Sequence, residues 1–169
     1  SRMLADPAIR LVTLTGPGGI GKTRLAVAVA AEVTAQYPDG VFYVDLAADD
    51  SPKSVLAAVA EAAGVAPEGD ILDTLAETMA HRRALIVVDN FEQVVAAGPD
   101  LTALLSRAPG LNALVTSRVV LRVGGEHEYP VEPLGLPAAG AGPAEIAAAE
   151  AVALFVDRAA AIRPGFELT

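Results

Sequence analysis

The string Gly16-Pro17-Gly18-Gly19-Ile20-Gly21-Lys22-Thr23 brings four glycines, an ammonium and a hydroxyl into eight residues. Glycine reaches backbone conformations closed to other residues, so successive N–H groups can turn inward around an anion. A helix beginning at Lys22 would add its unpaired N-terminal N–H groups and partial positive charge at the same place. Lys22 then suits the outer oxygens of a polyphosphate, and the Thr23 hydroxyl suits a hard cation such as Mg²⁺. The spacing is G-x-x-x-x-G-K-[ST], the phosphate-loop pattern, and it predicts an NTP site, with ATP and Mg²⁺ as the expected pair.

A second piece of chemistry stands in Leu85-Ile86-Val87-Val88-Asp89, an apolar strand ending in a carboxylate 67 residues after Lys22. This has the form of a Walker B segment, whose aspartate holds Mg²⁺. A rival reading uses the same glycines. Gly16-x-Gly18-x-x-Gly21 satisfies the dinucleotide fingerprint, and Asp45 follows Gly21 by 24 positions, near where a ribose-binding acid would sit. A dinucleotide fold needs neither an ammonium nor a hydroxyl after its last glycine, whereas a phosphate loop needs both. Lys22-Thr23 together with Asp89 therefore favour the NTP, and Asp45 reads as a strand-end or capping residue, with an approach to the Mg²⁺ side of the site as its other reading.

These groups need a scaffold that brings positions 16–23 and 89 together. Short apolar runs alternate with helical segments along the chain, the pattern of a mostly parallel sheet covered on both faces. Strands are expected at Arg10–Thr15, Val41–Leu46, Ala84–Asp89, Asn112–Thr116 and His127–Val131. Helices are expected at Lys22–Gln36, from the Ser51-Pro52 cap to Ala63 with Gly64 just past the end, and from Asp70 to Arg82. Phe91–Arg107 reads as helix interrupted by Gly98-Pro99-Asp100. A Pro- and Gly-rich linker covers 132–143, and residues 144–169 begin a helical subdomain with one helix over Ala144–Ile162. The nucleotide-binding domain is thus 1–131.

Composition narrows the function. The chain has 169 residues, no cysteine, and a formal net charge of -9. Thiol chemistry and thiolate metal sites are excluded, and the charge has the wrong sign for neutralising nucleic-acid phosphates. No apolar run approaches the length of a membrane span, so the expected setting is cytoplasmic. His81 reads as a helix-end residue. Glu126-His127-Glu128 does not read as a metal site, because alternate strand residues face opposite ways.

The run Leu85-Ile-Val-Val-Asp-Asn-Phe-Glu-Gln93 resembles the Walker B segment of the STAND NTPases, the signal-transduction ATPases with numerous domains. Gly16-Pro-Gly-Gly-Ile-Gly-Lys-Thr-Arg-Leu-Ala26 is similar to the phosphate loop of the branch found in bacterial SARP-type and large LuxR-type transcriptional regulators. Leu114-Val-Thr-Ser-Arg118 resembles its sensor segment, Tyr129-Pro-Val-Glu-Pro-Leu134 the strand and linker that follow, and Ala151-Val-Ala-Leu-Phe-Val-Asp-Arg-Ala159 the opening helix of its helical subdomain. The matches run in order along nearly the whole chain.

This resemblance implies a three-layer α/β P-loop NTPase fold with a five-stranded parallel sheet of order 5-1-4-3-2. It implies an ATP/ADP-controlled switch that assembles on ATP, with DNA-binding and sensor modules outside this sequence and no nucleic-acid contact by this domain. Arg118 takes the role of reading the γ-phosphate. Nucleotide contacts are expected from Gly16, Pro17, Gly18, Gly19, Ile20, Gly21, Lys22, Thr23 and Arg24, with Arg24 toward the helix surface, and cation contacts from Thr23 and Asp89. Lys22, Arg118 and Glu92 are the candidate catalytic groups. The chain departs from the pattern in three ways. Asn90 stands where many relatives place a second carboxylate, leaving Glu92 as a substitute to orient water or as a first-turn helix acid and implying slow hydrolysis. The Val-Gly-Arg element that contacts adenine in relatives is absent, and the remainder of the lid lies beyond Thr169. A P-loop small-molecule kinase or other NTP-hydrolysing enzyme, or a non-binding interaction scaffold, is the alternative.

Overall fold

The computed structural model describes residues 2–46, 55–66, 69–163 and 165–166. The expected Ser51-Pro52 helix cap falls outside them. Two compact units divide the chain, 1–131 and 132–169.

The first unit holds all five strands: β1 (Leu11–Thr15), β2 (Val41–Asp45), β3 (Ala84–Asp89), β4 (Leu111–Ser117) and β5 (Glu126–Pro130). They form one parallel sheet in the order β2-β3-β4-β1-β5, which read from the other edge is the 5-1-4-3-2 order expected. Side chains alternate between its faces. Leu85 and Val87 of β3, Val12 and Leu14 of β1 and Leu114 of β4 pack with Ala26, Ala30 and Val33 of α2 (Lys22–Val33). Ile86 and Val88 of β3, with Ala113 and Val115 of β4, face the opposite way, against α3 (Val55–Ala62), α4 (Ile71–Met79) and α5 (Gly98–Arg107). The result is three layers.

Burial on both faces holds for β1, β3 and β4 but not for the edges. Tyr43 on β2 and Tyr129 on β5 are 44% and 48% exposed. Edge strands have a neighbour on one side only and escape full helix cover, which is why β5 tolerates Glu126, His127 and Glu128.

Three helical segments differ from expectation. Phe91–Arg107 is not two α-helical pieces: two short 3₁₀ turns, Phe91–Gln93 and Val95–Ala97, precede α5, and Pro99 sits in the first turn of that helix. Proline lacks the N–H that a helix start leaves unpaired, so it opens α5 rather than interrupting it. In the second unit the expected single helix is two, α6 (Pro143–Ala148) and α7 (Glu150–Ile162), separated where Ala149 is extended at ψ 133. A short helix not foreseen, α1 (Arg2–Ala5), precedes β1 and buries Leu4. Elsewhere local signals act as read. The Asp70 carboxylate accepts from the N–H groups of Leu72 and Asp73 at the start of α4.

Candidate nucleotide site

The phosphate-loop string lies between the end of β1 and the start of α2, at the carboxyl ends of the strands. Gly21 caps α2 with φ 99, a left-handed conformation that an L side chain resists. The loop's glycines and the start of α2 line a pocket of about 250 Å³ together with Asn90, Glu92, Thr116 and Arg118. That is below the usual range for sites enclosing a whole small molecule, roughly 300–1,000 Å³, and suits a phosphate tail.

Lys22 is buried, and its ammonium donates to the carbonyls of Gly16 and Pro17 at 2.8 and 3.0 Å. Among the described residues it has no carboxylate within ion-pair distance. A buried cation held only by neutral carbonyls is suited to an anion. Asp89 is 3% exposed at the end of β3 and is surrounded by donors. The Thr23 hydroxyl donates to it at 2.9 Å, the Tyr43 hydroxyl reaches its Oδ2 at 3.0 Å, and the Thr116 hydroxyl bonds its Oδ1. No lysine or arginine among the described residues pairs with it. A carboxylate and a hydroxyl side by side, both hard oxygen donors, fit a Mg²⁺ ion.

Burial, the hydrogen bond to Asp89, and the negative charges of Asp89 and Asp45 push the Tyr43 phenol up to about 12. It therefore remains a donor at any physiological pH. Asn90 follows Asp89 with φ 60, and its side-chain amide donates to Asp45 at 3.0 Å. Asparagine tolerates that left-handed backbone better than most residues. Its N–H donates to the Thr116 hydroxyl at 3.1 Å. Arg118, at the exit of β4, pairs through Nε with Glu92 Oε1 at 3.0 Å. A Cβ built on Gly18 would meet the same guanidinium, with Nη2 nearest at 3.4 Å.

The structure thus gathers Lys22, Thr23, Asp89, Glu92 and Arg118 at one end of the sheet. Arg24 lines the same pocket. The sequence reading missed Tyr43 and Thr116. Both follow once strand order is known: β2 pairs with β3 in a register that sets Tyr43 opposite Val87 and Asp45 opposite Asp89, and β4 pairs with β3 with Val115 opposite Val88, one residue before Thr116 and Asp89. Glu126 and Glu128 are engaged elsewhere: the first accepts from the N–H groups of Leu121 and Arg122, the second from the Thr15 hydroxyl at 2.6 Å.

A parallel sheet of this order, with a glycine loop and a buried lysine between its first strand and first helix, defines a P-loop NTPase fold. The chain belongs to the AAA domain family, whose model matches residues 9–123. Members of this class bind nucleotides. The chain is 38% identical over 162 residues to a predicted HTH-type transcriptional regulator of Mycobacterium tuberculosis, covering 94% of this chain and 17% of that protein. It is 40% identical over 126 residues to the regulatory protein AfsR of Streptomyces griseus, covering 68% of this chain and 12% of AfsR. It therefore spans less than a fifth of either regulator. The resemblance to the P-loop domain of bacterial transcriptional regulators is met by these relatives. In fold, it aligns with a chain from the structure of Drosophila ORC bound to GC-rich DNA and Cdc6, at a TM-score of 0.57 and 19% identity over 99% of this chain and 61% of that one. No helix among the described residues is long and apolar enough to cross a membrane.

Proposed function

We propose that this chain is the nucleotide-controlled switch domain of a cytoplasmic bacterial transcriptional regulator, binding ATP or ADP with Mg²⁺ and hydrolysing ATP slowly. The observation that carries this reading is the pairing of Thr23 with Asp89 beside the buried Lys22 ammonium. In this reading the loop from Gly16 to Thr23 wraps the phosphates with its N–H groups, and Lys22 exchanges the carbonyls of Gly16 and Pro17 for phosphate oxygens. Thr23 and Asp89 hold Mg²⁺, which neutralises charge on those oxygens. Arg118 reads the γ-phosphate from the far side of the loop.

The base of the nucleotide is assigned to an apolar hollow of about 350 Å³ lined by Met3, Leu4, Val12, Leu25, Val29 and Tyr129. Leu25 lies in the first turn of α2, three residues past Lys22. Helix α1 supplies one wall, taking the place of the Val-Gly-Arg element. Slow hydrolysis follows from Asn90, which cannot act as a base, and from Glu92, whose Oε1 is committed to Arg118. DNA binding and signal sensing belong to other modules of the regulator, and residues 144–169 open its helical subdomain.

Calorimetric titration with ATP, ADP and NAD, with and without Mg²⁺, tests this. Micromolar binding of ATP and ADP that Lys22→Ala weakens at least tenfold is the expected result. Binding of NAD in preference to ATP, or no binding of any nucleotide, refutes it.

A further inference from the structure

Glu92 follows Asn90 by two residues, in the 3₁₀ turn Phe91–Gln93, and that turn is pinned by the fully buried ring of Phe91. The Glu92 side chain is 18% exposed and that of Arg118 is 65% exposed. The buried partner of this pair is therefore the anion, set in the 3₁₀ turn, and the exposed partner is the arginine. The other carboxylate oxygen, Oε2, is buried with no hydrogen-bond partner among the described residues. The 3.0 Å ion pair joins Nε to Oε1. Nη2 is the guanidinium atom nearest a Cβ built on Gly18.

An exposed arginine loses side-chain entropy when it must point one way, and a charged acceptor fixed in the protein supplies that ordering before a ligand arrives. A guanidinium held at Nε presents its two outer nitrogens as a planar fork, the geometry that recognises a phosphate bidentately.

Resting on the nucleotide-switch reading above, we propose that Glu92 is the positioning residue for Arg118. It anchors Nε so that the outer nitrogens face the phosphate loop, and thereby sets the preference for a triphosphate over a diphosphate. Glu92 touches no phosphate itself and takes no proton. It acts through Arg118 alone, on the one part of the ligand that ATP has and ADP lacks.

The test is calorimetry of ATP and of ADP with Mg²⁺ on the wild-type chain, Glu92→Ala and Glu92→Gln, each repeated in an Arg118→Ala background. Glu92→Ala should weaken ATP about tenfold while ADP stays within about twofold, the loss expected for an unanchored charge-assisted contact. Glu92→Gln keeps an acceptor for Nε and should retain most of the preference, whereas a residue that takes a proton would not survive that exchange in a turnover assay. In the Arg118→Ala background both substitutions should leave the ATP-to-ADP ratio unmoved. The inference is overturned if Glu92→Ala tightens ATP, weakens both nucleotides alike, or keeps its effect without Arg118. Wild-type chain that binds neither nucleotide sinks the switch reading and this one together. Binding with an unmoved ratio sinks this one alone.

Discussion

The hydroxyl of Thr23 lies 2.9 Å from each oxygen of the Asp89 carboxylate, across 66 positions of sequence. It belongs to the first turn of α2, the carboxylate to the end of β3, and the sheet order alone brings them together. Replacing Thr23 by valine keeps the shape and removes the donor. Thr23→Val is expected to leave Mg²⁺-free ATP affinity within about twofold and to abolish most of the gain that Mg²⁺ gives, read by calorimetry at several Mg²⁺ concentrations.

Gly21 separates conformation from crowding. Its φ is 99, and a Cβ built on it would meet nothing within 4 Å. Gly21→Ala should therefore cost about 1–2 kcal/mol from backbone strain alone, measured as a lowered urea midpoint. It should also weaken ATP and ADP alike, because the strained cap re-aims the N–H groups that begin α2.

Phe91 is fully buried beside the site and belongs to the cluster that includes Val88, Leu101 and Leu104. Truncation to alanine should cost about 3–5 kcal/mol in denaturant unfolding. Phe91→Leu, which keeps most of the volume, should cost far less and leave nucleotide affinity intact.

Tyr43 makes the site sensitive to strong base. Its phenol titrates near 10.0 when unfolded and is pushed up to about 12 when folded. Between those values the folded chain binds the extra proton, so stability present below pH 10 is lost as pH rises toward 12. Tyr43→Phe should remove that portion of the decline. Of the chain's three tyrosines, the one missing from an alkaline tyrosinate absorbance titration of the variant should be a late-titrating one. A titration in which the variant loses a component near pH 10 would exclude the bond to Asp89.

The central strands and the phosphate loop were legible because their signals are local. Val87 and Val88 sit in an unbroken apolar run, and Lys22-Thr23 directly follows the glycine it needs. Asp89 was found the same way, as the polar end of a buried strand. What stayed hidden depends on contacts between distant segments. Nothing near Tyr43 in sequence points to Asp89, 46 positions on, and the Arg118 partner Glu92 is 26 positions back, on a different element. The helix expected after Phe91 failed because apolar spacing cannot tell two 3₁₀ turns from an α-helix when Pro99 is equally at home opening the next one. A single helix is expected over Ala144–Ile162 because alanine suits a helix on propensity alone, while the break at the extended Ala149 is set by the chain's turn.

The lysine resting on Gly16 and Pro17 has a kinetic meaning. On the nucleotide-switch reading, a loop already drawn in by its own ammonium does not have to be gathered around an incoming phosphate, so association is expected to run near the rate of encounter. Departure is then expected to carry the differences, because the loop's contacts to phosphate exist only in the bound state. Differences in affinity among phosphate-loop variants should then show in dissociation rates, with arrival rates nearly alike.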